Sequence, residues 1–322
     1  MSVALLRLKS QVELQVLPNF PAVRFGFAYG SGAFPQENNP QGEGTMLDLV
    51  FSVDDSQQWH RDNMARNPLH YAWLPRRLGP SFATALQRVG PAKVFFNPYV
   101  TLPGFPRAIK YGVVDHSHLV DDLSCWSSLY FAGRLHKPVL LLVDDPGMLQ
   151  LIQSNRAAAL AVAALVHPLP RHEVSDAALF QTLAALSYTG DVRMSLRAEN
   201  PHKPSNIVRG HLSEWREVYK PIIAAADPRL VAPLGSGDTL RVGQLSLAEL
   251  MPALPSHLVA VLDENFRFTR ELPASPENDR DRLIGALSQI VGYSSISQTL
   301  KGLLTAGIAP SFRYVMDKLS KR

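Results

Sequence analysis

One carboxylate stands inside an apolar run: Asp48, in residues 46–53 (MLDLVFSV). Eight residues so rich in aliphatic and aromatic side chains predict a strand covered on both faces. A charge on such a strand costs free energy unless it is paired or bound to a metal. The strand expected before it, residues 23–29 (VRFGFAY), ends at Gly30-Ser31-Gly32. Glycines at a turn let backbone N–H groups approach an anion closely, and a serine hydroxyl adds a donor. Strand, Gly-Ser turn and acid-bearing strand together point to a site for a nucleoside triphosphate and the Mg²⁺ that neutralises it. Each part also has a plain reading, as a turn and as a buried ion pair.

This order is that of the polymerase-β-like nucleotidyltransferases, with one departure. Their acidic motif alternates, Asp-x-Asp, so that both carboxylates share one face of the strand. Here Val50 occupies the second position, and the next acids, Asp54 and Asp55, fall just past the expected strand end. Asp54 has the parity of Asp48, but parity means nothing once the pleat stops. Lys110, inside the apolar stretch 108–114 (AIKYGVV), is a candidate for neutralising phosphate charge, or a lysine that snorkels to the surface. Further strands are expected at 92–96 and 138–143, and helices at 56–71 and 119–135. Asp121 and Asp122 are expected to open the second of these, and Arg134 and Lys137 to close it, as the helix dipole favours.

After Pro146 the pattern turns helical, at 148–166, 175–187 and 207–225. With 322 residues, about two domains are expected, and 46% hydrophobic residues suffice for real cores. The net charge of +4 permits an anionic partner without demanding one. No extended basic run with interleaved aromatics argues for nucleic acid. A single cysteine, Cys125, excludes an intrachain disulfide, and the histidine spacings match no zinc pattern. Residues 310–322 (PSFRYVMDKLSKR) space Phe312, Val315, Met316 and Leu319 at helical intervals among cations. That is either a helix lying in an anionic membrane interface or one docked on the core.

Seven blocks carry a resemblance: AYGSGAFPQ (28–36), MLDLVFSVDD (46–55), WHRDNMARNPLHY (59–71), IKYGVV (109–114), DDLSCWSSLYFAGRLHKPV (121–139), LSYTGDVRM (186–194) and SSISQTLKGLLTAG (294–307). Along almost the whole chain they resemble the mitochondrial phosphatidate cytidylyltransferase family, also called mitochondrial translocator assembly and maintenance proteins. The resemblance implies an α+β architecture: a polymerase-β-like nucleotidyltransferase domain (1–145), a helical, winged-helix-like domain (146–245) and a helical, membrane-contacting C-terminal region (246–322). It implies the reaction of CTP with phosphatidic acid to give CDP-diacylglycerol and pyrophosphate, with Mg²⁺, on the route to cardiolipin and phosphatidylglycerol. The family's setting is the matrix side of the mitochondrial inner membrane, or the cytoplasmic membrane face in a bacterial member. By position, Gly30 and Ser31 match the phosphate cradle, Asp48 the metal-binding aspartate assisted by Asp54 or Asp55, and Lys110 the basic strand position. Tyr188, Asp191 and Arg193 fall in the block SYxGDxRM. The missing Asp-x-Asp keeps a non-catalytic, membrane-associated assembly factor on the same scaffold as an alternative.

Overall fold

The structure, a computed structural model, describes residues 2–34, 45–167, 173–191, 194, 202–235, 237–243, 245–268 and 275–306. Arg193 and the amphipathic segment 310–322 lie outside the described residues. The chain divides into two compact units that are discontinuous in sequence: Met1–Val120, Val139–Leu149 and Ser294–Arg322 in one, Asp121–Pro138 and Gln150–Tyr293 in the other.

The first unit is built on a five-stranded mixed sheet. Helix α1 (Val3–Gln15) precedes β1 (Phe25–Tyr29) and β2 (Leu47–Val53). Then come α2 (Ser56–Arg66), α3 (Trp73–Leu78), α4 (Pro80–Arg88), β3 (Val94–Val100) and β4 (Ile109–Asp115). Helix α5 (His116–Cys125) begins in this unit, α6 (Ala132–Leu135) belongs to the second, and β5 (Leu140–Val143) returns to the sheet. The sheet order is β3-β4-β2-β1-β5, with β2 and β4 parallel and the other pairs antiparallel. The central strand β2 is therefore flanked on both sides, which is why its sequence reads as a nearly unbroken apolar run. One face, with Leu47, Leu49, Phe51, Ile109, Tyr111 and Val113, packs on Leu5 and Val12 of α1 and on Trp59 of α2. The other face carries Asp48 and Lys110.

Beneath the first face lies a buried polar network, and it accounts for most of the block WHRDNMARNPLHY. Asn63, Asn97 and His70 surround the Tyr111 hydroxyl at 2.9, 2.8 and 3.1 Å. His60 contacts the Tyr71 hydroxyl at 2.8 Å and Gln87 at 3.0 Å. Burial holds both His60 and His70 down at about 4, so both rings are neutral near pH 7. These side chains hold the sheet to α2.

The expected helix 119–135 is interrupted. Helix α5 already begins at His116 and ends at Cys125, and Trp126 and Leu129 take left-handed backbone conformations (φ 60° and 53°) before α6. Asp122 therefore sits in the second half of α5 and opens no helix. Its carboxylate accepts from Ser128 N–H and Oγ–H and from the N–H groups of Phe131 and Ala132, at 2.7–3.0 Å.

The second unit contains most of α7 (Pro146–Val166), then β6 (Val174–Ser175), α8 (Asp176–Leu186), α9 (Lys203–Arg209) and α10 (Leu212–Ala225). Strands β7 (Val231–Pro233) and β8 (Thr239–Val242) follow, then α11 (Leu247–Leu250), α12 (Ser256–Phe268) and α13 (Pro276–Ala306), whose last residues belong to the first unit. Strands β6, β8 and β7 form a small antiparallel sheet. Helix α7 is long and apolar enough to span a bilayer, but its residues Ala159–Leu165 are buried in this unit's core with Phe180, Trp215 and Tyr219. It is a core helix.

Candidate active site

The site begins at the corner where β1 ends. Gly30 has φ +72°, a conformation that favours glycine, and its carbonyl accepts from Ala33 and Phe34 N–H at 3.1 and 2.8 Å. Gly32 is held by close approach: a Cβ there would lie 2.2 Å from the Met46 carbonyl oxygen. Arg107, in the loop before β4, donates to the Gly32 carbonyl at 2.9 Å and braces the turn. The Ser31 and Gly32 amides and the Ser31 hydroxyl donate to no group among the described residues. Three donors thus stand in one short turn without an acceptor among the described residues, as in an anion-binding nest.

Asp48 is next to this corner. In the sheet register it lies opposite Tyr29 on β1 and Lys110 on β4. Its Oδ2 is 3.5 Å from where a Gly30 Cβ would be, and its Oδ1 is 3.5 Å from Lys110 Nζ. Both side chains are half-buried. The ammonium also lies 4.5 Å from the centroid of the Phe96 ring. That ring can lie there because residue 112 is glycine: a Cβ at Gly112 would come within 2.5 Å of it. Lys110 is therefore positioned by a carboxylate and an aromatic face, and does not snorkel away from the sheet.

Gly30, Ser31, Asp48 and Lys110 thus come together, whereas Asp54 and Asp55 do not join them. Asp54 follows the far end of β2, six residues from Asp48, or about 20 Å along a strand. It pairs with Arg24 at 2.9 Å, and Arg24 also binds Asp145 at 3.2 Å. Asp55 caps α2, accepting from Gln57 and Gln58 N–H at 2.9 and 3.1 Å. Neither is placed to be a second ligand beside Asp48, because the strand that would carry the alternation has ended. No group of three His, Cys, Asp or Glu side chains suited to a metal occurs among the described residues.

Tyr188 and Asp191 lie in the second unit, on the turn after α8. Asp191 is buried, and Gly190 between them has φ +75° and packs against Ser288. One residue at this corner was not singled out from sequence: Arg107, whose loop position carries no pattern signal.

Comparison with known proteins settles the family. A family model described as "Phosphatidate cytidylyltransferase, mitochondrial" matches residues 14–321. The chain belongs to this family. Among relatives bearing that same name, the Schizosaccharomyces pombe protein is 32% identical over 314 residues, covering 91% of this chain and 78% of the relative. The Rattus norvegicus protein is 36% identical over 323 residues (95% and 93%), and the Caenorhabditis elegans protein 33% over 320 residues (96% and 96%). Of the family blocks in the first unit, those around Gly30, Asp48 and Lys110 form the corner, and the one at residues 59–71 forms the polar core on the sheet's other face.

Proposed function

We propose that this chain is a phosphatidate cytidylyltransferase that joins CTP to phosphatidate and releases pyrophosphate, with the nucleotide seated at the Gly30–Gly32 corner. The observation that carries this reading is the set of donors at Ser31 and Gly32 that meet no acceptor among the described residues, beside the Asp48 carboxylate, in a chain of this family. Mg²⁺ commonly takes one or two protein carboxylates and completes its shell with water and phosphate oxygens. A lone Asp48 suits such a metal, held mainly by the nucleotide. When bound, Mg²⁺ supplies positive charge against the phosphates.

In this mechanism the Ser31 and Gly32 amides and the Ser31 hydroxyl receive phosphate oxygens, and Lys110 orients Asp48 and adds positive charge. An ionised oxygen of the phosphatidate phosphate attacks the α-phosphorus of CTP. The new P–O bond forms as the bridge to the β-phosphate breaks, and pyrophosphate leaves with the bonding electrons. The attacking oxygen is already anionic near neutral pH, so no protein nucleophile or strong base is required.

The first unit is then a polymerase-β-like nucleotidyltransferase domain. The order α7, β6, α8, α9–α10, β7, β8 in the second unit is what a winged helix would have. The relatives' names include "mitochondrial", which supports that compartment, and we assign the enzyme to the matrix face of the inner membrane as a peripheral protein making a cardiolipin precursor. The alternative, a non-catalytic assembly factor, draws on the single carboxylate. Incubating pure protein with labelled CTP, Mg²⁺ and phosphatidate decides between them. A labelled CDP-lipid is expected, reduced at least about a hundredfold in Asp48→Asn, since several kcal/mol of charge stabilisation are removed. No CDP-lipid from folded parent protein, or unchanged turnover in Asp48→Asn, overturns the reading.

A further inference from the structure

One surface corner of the first unit leaves large apolar side chains in water. It runs from the helical turn Pro68–His70 through α3 to Gly79. Leu69 is 82% exposed, Trp73 68% and Leu78 53%. A tryptophan is seldom left so open, because its ring is a large apolar surface. In α3 the buried residue is Pro75, so Trp73, Arg76 and Arg77, spaced i, i+3 and i+4, share the outward side. Gly79 ends the helix at φ +86°, and a Cβ there would meet nothing within 4 Å. The Trp73, Arg76 and Arg77 side chains form no hydrogen bond, ion pair or ring contact among the described residues.

Charge selects the partner. From Asn63 to Val114 the sequence holds no Asp or Glu, against seven Lys or Arg. The elements packed on this corner, α4 behind α3 and β3 behind the turn, therefore bring no acid to it. Asp62 of α2, which also packs on the turn, accepts from Gln58 at 2.9 Å. Open aromatic and aliphatic side chains beside two exposed guanidinium groups match an anionic bilayer interface. The indole suits the headgroup depth, the leucines the upper acyl chains and the arginines the phosphates. Three apolar side chains fall short of the about 1,200 Å² or more that a stable protein interface buries. Leu69 and Leu78 offer a nucleic-acid base neither a stacking ring nor a hydrogen bond.

We propose that the corner formed by Leu69, Trp73 and Leu78, with Arg76 and Arg77, docks the first unit onto an anionic bilayer surface. Its use rests on the function proposed above, in which one substrate is a lipid held in such a bilayer, whereas the docking rests on this surface alone.

The test uses the full chain and vesicles of phosphatidylcholine with or without phosphatidylserine, an anionic lipid that is not the substrate. Trp73→Ser and the double variant Arg76→Gln/Arg77→Gln change only exposed side chains, and circular dichroism checks that they fold. Each arginine at an anionic surface contributes about fivefold in affinity, so the double variant should co-sediment with phosphatidylserine vesicles about twentyfold more weakly. Trp73→Ser should lose about tenfold. The control Lys220→Gln/Arg241→Gln removes the same charge from exposed positions of the second unit and should stay within twofold of the parent. Binding by either corner variant within twofold of the parent, an equal loss in the control, or a parent indifferent to phosphatidylserine overturns the proposal. So does a parent dimer that Trp73→Ser converts to a monomer with vesicle binding unchanged, because a second copy is then the occupant. Corner variants that lose vesicle binding yet still make CDP-lipid from a short-chain, water-soluble phosphatidate support it. Corner-dependent vesicle binding by a protein that makes no CDP-lipid keeps the docking surface and overturns the catalytic reading.

Discussion

Asp122 is the residue whose replacement has the most calculable effect. Its side chain is 3% exposed and receives four hydrogen bonds, two on each oxygen, from the segment that joins α5 to α6. That segment contains two non-glycine residues in left-handed conformations, Trp126 and Leu129, each costing about 1 kcal/mol or more. Asp122→Ala removes the acceptor and leaves three backbone N–H groups and a hydroxyl where water is scarce. At about 1–3 kcal/mol for each orphaned donor, with partial relaxation and non-additivity, the expected loss is about 3–5 kcal/mol. That is a large part of the about 5–15 kcal/mol typical of a folded domain. Urea denaturation followed by circular dichroism measures it, with Asp121→Ala as control. Asp121 is exposed, and its replacement is expected within about 0.5 kcal/mol of the parent. An Asp122→Ala midpoint indistinguishable from that of Asp121→Ala refutes the claim that this carboxylate holds the loop.

Three further outcomes are expected. Gly112→Ala should cost about 1–3 kcal/mol by overpacking against Phe96; adding Phe96→Leu should recover part of it, and a double-mutant cycle without coupling counts against the contact. Gly32→Ala should shift the corner away from Met46 and cut turnover at least about tenfold while leaving the thermal midpoint nearly unchanged, because one loop must move and the core need not; full activity in this variant would show that the corner's shape is immaterial. Burial depresses His60 to about 4 and His136 to about 3, from 6.5 unfolded, so the unfolded chain takes up protons first as pH falls. Stability is then fully present above pH 6.5 and declines towards pH 4 by about 1.4 kcal/mol per pH unit for each ring. Urea midpoints that stay level between pH 7 and pH 4.5 contradict this.

The strands were legible because their apolar runs are local and bounded by Gly or Pro, and β2 kept its expected extent to within one residue. The helix 119–135 misled because its apolar spacing continues through Trp126–Phe131, while the Asp122 carboxylate gathers that segment's amide groups into a loop. Asp55 could have been recognised as a cap from its place before a helical run. Asp54 could not be, since its partner Arg24 lies thirty residues earlier. The site residues follow the same division. Gly30 and Ser31 form a contiguous turn and were read as one. Lys110 became meaningful only through its register with Asp48 across a parallel pair, a link that needs the crossover through α2, α3, α4 and β3. Lys137 read only as a cation at a helix end, because Ser187, whose hydroxyl oxygen accepts from it, lies fifty residues on. A chain with a second acid at position 50 would make a metal site readable within one strand. Here the charge at Asp48 is answered from another strand, so the chemistry of the corner depends on the pairing of β2 with β4 and can be tested by changing Lys110 as directly as by changing Asp48.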